Sequence, residues 1–177
     1  MRDIIKNREV VQDDWTVLRL EEGQDAATVA VPAGKVIVPL AVWQAQKATL
    51  AAPLGVWIAS DERPEVLKGE LDKFAVVAVD FPKFTDGRGY SIAYNLRMRL
   101  RYTGELRAIG DVLRDQLFSM QRVGFDAFAT REDRNIHDAL KGLTDFSEVY
   151  QASVDQKSPL FRRHVRDVRV EDSGYGI

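Results

Sequence analysis

The chain has 177 residues and a mass of 20.0 kDa, with 45% hydrophobic and 29% charged side chains, values that favour one globular domain. Its 25 basic and 27 acidic residues nearly cancel, which excludes the broad positive surface of a nucleic-acid-binding protein. No apolar run approaches the roughly 20 residues that cross a bilayer, and the first residues are too polar for a secretory leader, so we expect a cytoplasmic protein without membrane contact.

The first 35 residues are predicted to form an N-terminal hairpin extension. Apolar residues alternate loosely between Ile4 and Leu20, on both sides of the acidic pair Asp13-Asp14, as in two antiparallel strands. Residues 24–35 show no period and are interpreted as a connection. We expect the hairpin to lie at a sheet edge or to contact a second copy in a homodimer.

Residues 36–154 are predicted to form a core of repeated βα units. Short apolar runs bounded by Gly, Pro or Asp alternate with segments in which apolar residues have helical spacing. The predicted strands are Val36–Leu40, Gly55–Ala59, Phe74–Phe81, Glu105–Ile109 and Phe125–Thr130, and the predicted helices are Ala41–Ala51, Pro64–Leu71, Tyr90–Arg101, Val112–Val123 and Ile136–Tyr150. The continuous apolar run Ala75–Val79 is typical of a parallel strand that is buried on both faces.

The fold class is therefore α/β, with a mainly parallel sheet that is open or half-barrel-like. Five units are too few to close a standard eight-stranded barrel. Residues 1–154 are predicted to be a single domain. Residues 155–177 lose the pattern and are predicted to be a flexible tail or an arm that contacts a partner.

Polar residues gather where ligands bind in βα folds, beyond the carboxyl ends of the strands. The segment FPKFTDGRGYS follows the third predicted strand, and the turn Gly110-Asp111 follows the fourth. The predicted ligand-binding residues are Lys83, Thr85, Asp86, Arg88, Tyr90, Asp111, Arg114, Asp115, Gln116 and Arg131. Lysine and arginine donors suit a carboxylate, sulfate or phosphate, so we expect a small anionic ligand.

Two other readings of the same residues stay open. The structural reading makes Asp86-Gly87 a turn and Asp111 a helix cap, with the basic side chains in solvent. The enzymatic reading makes Asp80 or Asp111 a general base, while Lys83 or Arg114 stabilises developing negative charge. Sequence reasoning does not decide whether the chain is an enzyme.

Several kinds of site lack the residues that they need. The chain has no cysteine, and His137 and His164 are far apart, so we expect no metal site. The string DGRGYS lacks the third glycine of a dinucleotide fingerprint, and no Walker pattern occurs. We therefore predict no bound cofactor.

Three strings carry a family resemblance: VVAVDFPKFTDGRGYS (76–91), YTGELRAIGDVLRDQLFSMQRVGFDAF (102–128) and TDFSEVYQ (144–151). They resemble the bacterial domain-of-unknown-function 934 family, whose members are labelled probable oxidoreductases of sulfite reduction and are encoded near assimilatory sulfite reductase. The resemblance covers roughly residues 36–151. Its signature matches at Asp80, Lys83, Asp86, Arg88, Tyr90, Gly110, Asp111, Arg114, Asp115 and Gln116. It carries over no catalytic residue.

These observations lead to one functional hypothesis and two alternatives. The first is an accessory protein of sulfite reduction that binds a small anion or docks on sulfite reductase, as the resemblance implies. The second is an oxidoreductase or other enzyme whose flavin or nicotinamide is held without a standard fingerprint. The third is a homodimeric assembly module.

Overall fold

The fold is one eight-stranded sheet with helices on its outside, in a computed structural model that describes residues 2–163. The strands are β1 Arg2–Lys6, β2 Glu9–Asp13, β3 Thr16–Val17, β4 Val36–Pro39, β5 Leu54–Ile58, β6 Val76–Phe81, β7 Glu105–Gly110 and β8 Ala127–Phe128. Their order across the sheet is β2-β1-β8-β7-β6-β5-β4-β3. Strands β3 to β8 are parallel, and β1 is antiparallel to β2 and β8. The predicted α/β class with an N-terminal hairpin is confirmed.

Five helices alternate with or follow the strands from β4 onward. They are α1 Leu40–Gln46, α2 Arg88–Met98, α3 Arg114–Arg122, α4 Ile136–Lys141 and α5 Leu160–Arg163. Consecutive parallel strands are neighbours in the sheet, and right-handed crossovers then place the connecting helices on the same face. In the described part of the chain, no helix has the length and apolar character that crossing a membrane requires.

The connection between the two outermost strands shows that the sheet is strongly curled. Strand β2 ends at Asp13 and β3 begins at Thr16, so three steps of 3.8 Å, at most about 11 Å, join opposite edges. Eight strands lying flat would place those edges about 34 Å apart at the usual strand spacing. The sheet therefore forms a half-barrel, which decides between the two forms that the sequence left open.

Strand β6 shows how the two faces of the half-barrel differ. Val77, Val79 and Phe81 belong to the large core beneath the helices, whereas Val76 and Ala78 belong to a smaller cluster on the concave face. All six residues of β6 are buried, as the continuous apolar run predicted. Since side chains alternate along a strand, Asp80 lies on the concave face with Val76 and Ala78.

The N-terminal hairpin turns at a different place from the one predicted. Its turn is formed by Asn7 and Arg8, which have φ angles of 51° and 67°, and not by Asp13-Asp14. Asparagine tolerates this left-handed region better than most residues. The acidic pair instead starts the bend into β3, which is a sixth parallel strand that the sequence reading had assigned to the hairpin.

Helix lengths were predicted less well than strand positions. Helices α2 and α3 match their predicted ranges within three residues, but α1 ends at Gln46, and Pro64–Leu67 is a short 3-10 turn. The predicted helix Ile136–Tyr150 ends at Lys141 and continues only as the 3-10 turn Gly142–Thr144. Residues 164–177 of the predicted tail lie outside the described residues.

Candidate functional site

The predicted site residues lie mainly on the loops that follow β6, β7 and β8, residues 82–88, 111–116 and 129–135, which we call the rim. The first two loops are bonded to each other. Asp111 Oδ2 accepts the Phe84 N–H at 2.8 Å, and Gln116 Nε2 donates to the Phe84 carbonyl at 3.1 Å. The parallel sheet thus brings the two predicted loops to one edge.

Gly110 makes this junction sterically feasible. Its φ is +94°, and a Cβ there would overlap the Phe81 carbonyl and lie 2.8 Å from Asp80 Oδ1. The next amide, on Asp111, donates to the Phe81 carbonyl at 2.7 Å. The side chain of Asp111 therefore points into the rim; it does not cap α3, where Gln116 Oε1 accepts the Leu113 N–H at 2.9 Å.

The arginines of the rim are bound to carboxylates. Arg88 donates to Asp86 through Nε at 2.9 Å and Nη2 at 2.7 Å, and Ser60 Oγ donates to Asp86 at 2.7 Å. These bonds, the guanidinium first, hold the pKa of Asp86 well below its usual range. This arrangement agrees with the structural reading, in which Asp86 belongs to a turn, and Arg88 is the counter-ion of Asp86. The Arg88 donors that an anionic ligand would need are therefore already in use.

Arg114 and Arg131 are also bound to carboxylates. Arg114 contacts Asp138 at 3.2 Å and Asp145 at 3.1 Å, which raises the pKa of the guanidinium. All three nitrogen atoms of Arg131 are used, on Asp133 and on Asp111.

The other predicted rim residues differ in environment. Lys83 and Thr85 are exposed, and their side chains make no hydrogen bond within residues 2–163. Tyr90 is half-buried against the edge of Phe81, and burial raises its pKa. Asp115 is exposed beside a cavity of about 480 Å³ that Arg114 also lines.

A larger cavity, of about 680 Å³, lies on the concave face of the half-barrel, and we call it the central cavity. Its lining residues come from β1, residues 13–19, β7 and the residue after β8: Arg2, Asp13, Asp14, Trp15, Thr16, Val17, Arg19, Arg107, Ile109, Gly110 and Ala129. At Gly110 it meets the rim. Pockets of this volume at strand ends are the usual ligand sites of βα folds.

One wall of the central cavity is a buried ionic network. The Arg107 side chain is only 2% exposed. Its Nη1 donates to both oxygens of Asp13 at 2.9 Å, and its Nε donates to Glu105 at 2.6 Å. Lys6 contacts the same glutamate at 2.7 Å. Every nitrogen of Arg107 is engaged, so this arginine holds the β2–β3 bend against β7.

The lining also contains an arginine with few partners, Arg19. Arg19 Nη2 donates to Asp80 Oδ1 at 2.6 Å, and the guanidinium lies 5.3 Å from the centre of the Trp57 ring. The indole N–H of Trp57 in turn donates to the Leu18 carbonyl at 2.8 Å. Within residues 2–163, Nη2 is the one Arg19 nitrogen that donates a hydrogen bond, and the side chain is 50% exposed.

Sequence reasoning found Asp80 but missed Arg19, Arg107 and Arg2. A weak signal for Arg19 was present, since Trp15, Val17 and Arg19 are spaced two apart, as on one face of a strand, although Asp14 and Thr16 also line the central cavity. The assumed turn at Asp13-Asp14 hid that alternation.

Comparison with known families decides the membership that the three strings had suggested. A family model described as "Bacterial protein of unknown function (DUF934)" matches residues 55–161. The chain belongs to this family. Comparisons with curated proteins and with solved structures found no match.

The residues around the central cavity lie partly inside and partly outside the range that the DUF934 family model matches. The matched range contains the rim, Asp80 and Arg107, whereas Arg2, Asp13 and Arg19 precede it. Within residues 2–163, no group of three or more histidine, aspartate or glutamate side chains is arranged to hold a metal ion.

Proposed function

We propose that this DUF934 protein is an accessory of sulfite reduction that binds a small oxyanion at Arg19, in the central cavity. The sulfite part of the proposal depends on the label carried by the family that the sequence resembles. The oxyanion part depends on the cavity and its arginines. No redox group of the chain takes part.

The free donors of Arg19 are the observation that carries the proposal. One nitrogen binds Asp80, the guanidinium is half-exposed, and Arg19 is one of the residues that line the central cavity. A planar guanidinium binds oxyanions through two parallel hydrogen bonds, which are stronger than those between neutral groups. Arg88 and Arg131 on the rim already use this geometry on their own carboxylates.

Arg2 adds a second cation to the same cavity. One of its nitrogen atoms bonds to the Thr130 carbonyl, and another lies 3.5 Å from the exposed Glu132. An oxyanion between Arg2 and Arg19 would lie at the carboxyl ends of the strands. In this proposal the main contact of the anion is Arg19, and not Lys83 or Arg114 as expected from the sequence.

Calorimetric titration of the purified protein with sulfite, sulfate and phosphate tests the proposal. We expect Arg19→Gln to weaken oxyanion binding at least about tenfold, because a charge-assisted hydrogen bond is lost. Arg88→Gln is the matched control and should leave binding unchanged. Equal losses in both variants, or no binding of any oxyanion to the unmodified protein, would rule the proposal out.

Docking on sulfite reductase is a second candidate, favoured by Phe84. This aromatic ring is 42% exposed at the tip of the rim, although both backbone groups of Phe84 are bonded, to Asp111 and to the buried Gln116. A rigidly presented aromatic residue is typical of a binding hot spot. We expect Phe84→Ala to reduce co-purification with sulfite reductase, while Phe146→Ala, which changes a more exposed ring off the rim, has no effect. Equal recovery of the reductase with both variants would argue against docking.

A further inference from the structure

Asp80 makes the surroundings of Arg19 less favourable for a bare anion than for an anion that also carries a positive charge. Asp80 Oδ1 lies 2.6 Å from Arg19 Nη2, so any anion on the remaining N–H groups lies within a few ångströms of a carboxylate. Like charges at such a distance repel each other strongly where water is partly excluded. A bare anion would therefore turn a neutral pair into a site with a net negative charge.

Asp80 has one oxygen available for a ligand. The residue is only 8% exposed, yet Oδ2 accepts no hydrogen bond from residues 2–163. Oδ2 is not among the fully buried unpaired atoms of residues 2–163, so a ligand donor can reach this oxygen. Asp80 borders the central cavity through two of its lining residues, since Oδ1 is bonded to Arg19 and would lie 2.8 Å from a Cβ on Gly110.

The other charges of the central cavity are already balanced. Arg107 is bonded to Asp13 and Glu105, and Asp14 is bonded to Lys35. Arg2, the second cation of the cavity, already lies 3.5 Å from Glu132, so it offsets only part of the repulsion between a bare anion and Asp80.

The size of the central cavity also favours a larger ligand than an inorganic ion. Its volume of about 680 Å³ is in the range of pockets that hold whole organic ligands. Trp15, Val17 and Ile109 give part of its wall an apolar character, which suits a carbon chain or ring.

We infer that the central cavity takes a zwitterionic small molecule, whose acid group binds Arg19 and whose ammonium group binds Asp80 Oδ2. The inference rests on the proposed oxyanion site and specifies its ligand class as an amino acid or aminosulfonate. In the complex, the ligand acid offsets Arg19 and the ligand ammonium offsets Asp80, so the site stays neutral.

Two sulfonates that differ by one ammonium group test the inference. Taurine, which is 2-aminoethanesulfonate, and ethanesulfonate are titrated calorimetrically into the unmodified protein and into Asp80→Asn and Arg19→Gln. We expect taurine to bind the unmodified protein at least about tenfold more tightly than ethanesulfonate, because only taurine donates to Asp80. Asp80→Asn should bring the two affinities to nearly the same value, and Arg19→Gln should weaken both.

The outcomes separate this inference from the proposed function. Equal affinity of the unmodified protein for taurine and ethanesulfonate overturns the zwitterion and leaves the oxyanion site intact. No binding of either sulfonate also overturns it, and the sulfite titration then decides whether the oxyanion site falls as well. Should Asp80→Asn fail to fold, the comparison on the unmodified protein still decides.

Discussion

Two sets of arginine–carboxylate pairs, one inside the half-barrel and one on its rim, use the same chemistry in different surroundings. Arg107 is almost fully buried with Asp13 and Glu105, whereas Arg114 and Arg131 are partly exposed with their partners. Pairs in water contribute little to stability, because screening and side-chain entropy offset the attraction. A buried pair cannot lose one partner without leaving an uncompensated charge.

The same comparison distinguishes arginines that stabilise the fold from the arginine proposed to bind a ligand. On the rim, Arg88, Arg114 and Arg131 each have carboxylate partners, which gives the loops a defined shape. In the central cavity, Arg107 is saturated and Arg19 is not. Two arginines of the same cavity therefore have different roles: Arg107 holds the curled sheet together, and Arg19 is the proposed contact for a ligand.

The largest effect is expected for Arg107→Met, which keeps the length of the side chain and removes its charge. Asp13 and Glu105 would remain buried without their main partner, so the free energy of unfolding should fall by about 3–5 kcal/mol. Urea-induced unfolding measures this value. Arg114→Met is the control on the rim and should change the same quantity by less than about 1 kcal/mol. Similar losses in both variants would refute the contrast between the two regions.

A smaller effect is expected where the two regions meet, for Gly110→Ala. The left-handed φ of +94° and the overlap of a Cβ with Phe81 should together lower the free energy of unfolding by about 2 kcal/mol or more. Gly87→Ala is the control on the rim, because Gly87 has a φ of −82° and no atom lies within 4 Å of an added Cβ. If Gly87→Ala costs as much stability, backbone strain at Gly110 is not the cause.

The sequence predicted the parallel core because the core depends on local patterns. The run Ala75–Val79 is apolar at every position, and a strand of this kind is stable only when both faces are covered. The same reasoning placed Phe84 and Asp111 on neighbouring loops, where they are hydrogen-bonded. Both inferences need only the direction of adjacent strands.

The central cavity was not predicted, because it depends on contacts between residues far apart in sequence. Glu105 and Arg107 alternate with apolar residues in β7, a pattern that normally indicates a solvent-facing side of a strand. Arg107 is buried only because Asp13, 94 residues earlier, folds over it. The curl of the sheet, on which this contact depends, follows from the position of a two-residue strand, β3, that periodicity cannot detect.

The smallest effect concerns the rim alone, and it is a dependence on pH. Arg88 and Ser60 bind Asp86 as a carboxylate, so the pKa of Asp86 is lower in the folded chain than its ordinary value of 3.8. A lowered carboxyl pKa stabilises the fold above the ordinary pKa, and this stabilisation is lost as the pH falls below it. We therefore expect the difference in Tm between the unmodified protein and Asp86→Asn to be constant from about pH 7 to pH 5 and to shrink below about pH 4. Thermal unfolding across this range measures the difference, and Ser60→Ala, which leaves Arg88 in place, should produce a weaker change of the same sign. A difference that instead grows toward low pH would mean that the rim pairs do not bind Asp86 in its charged form.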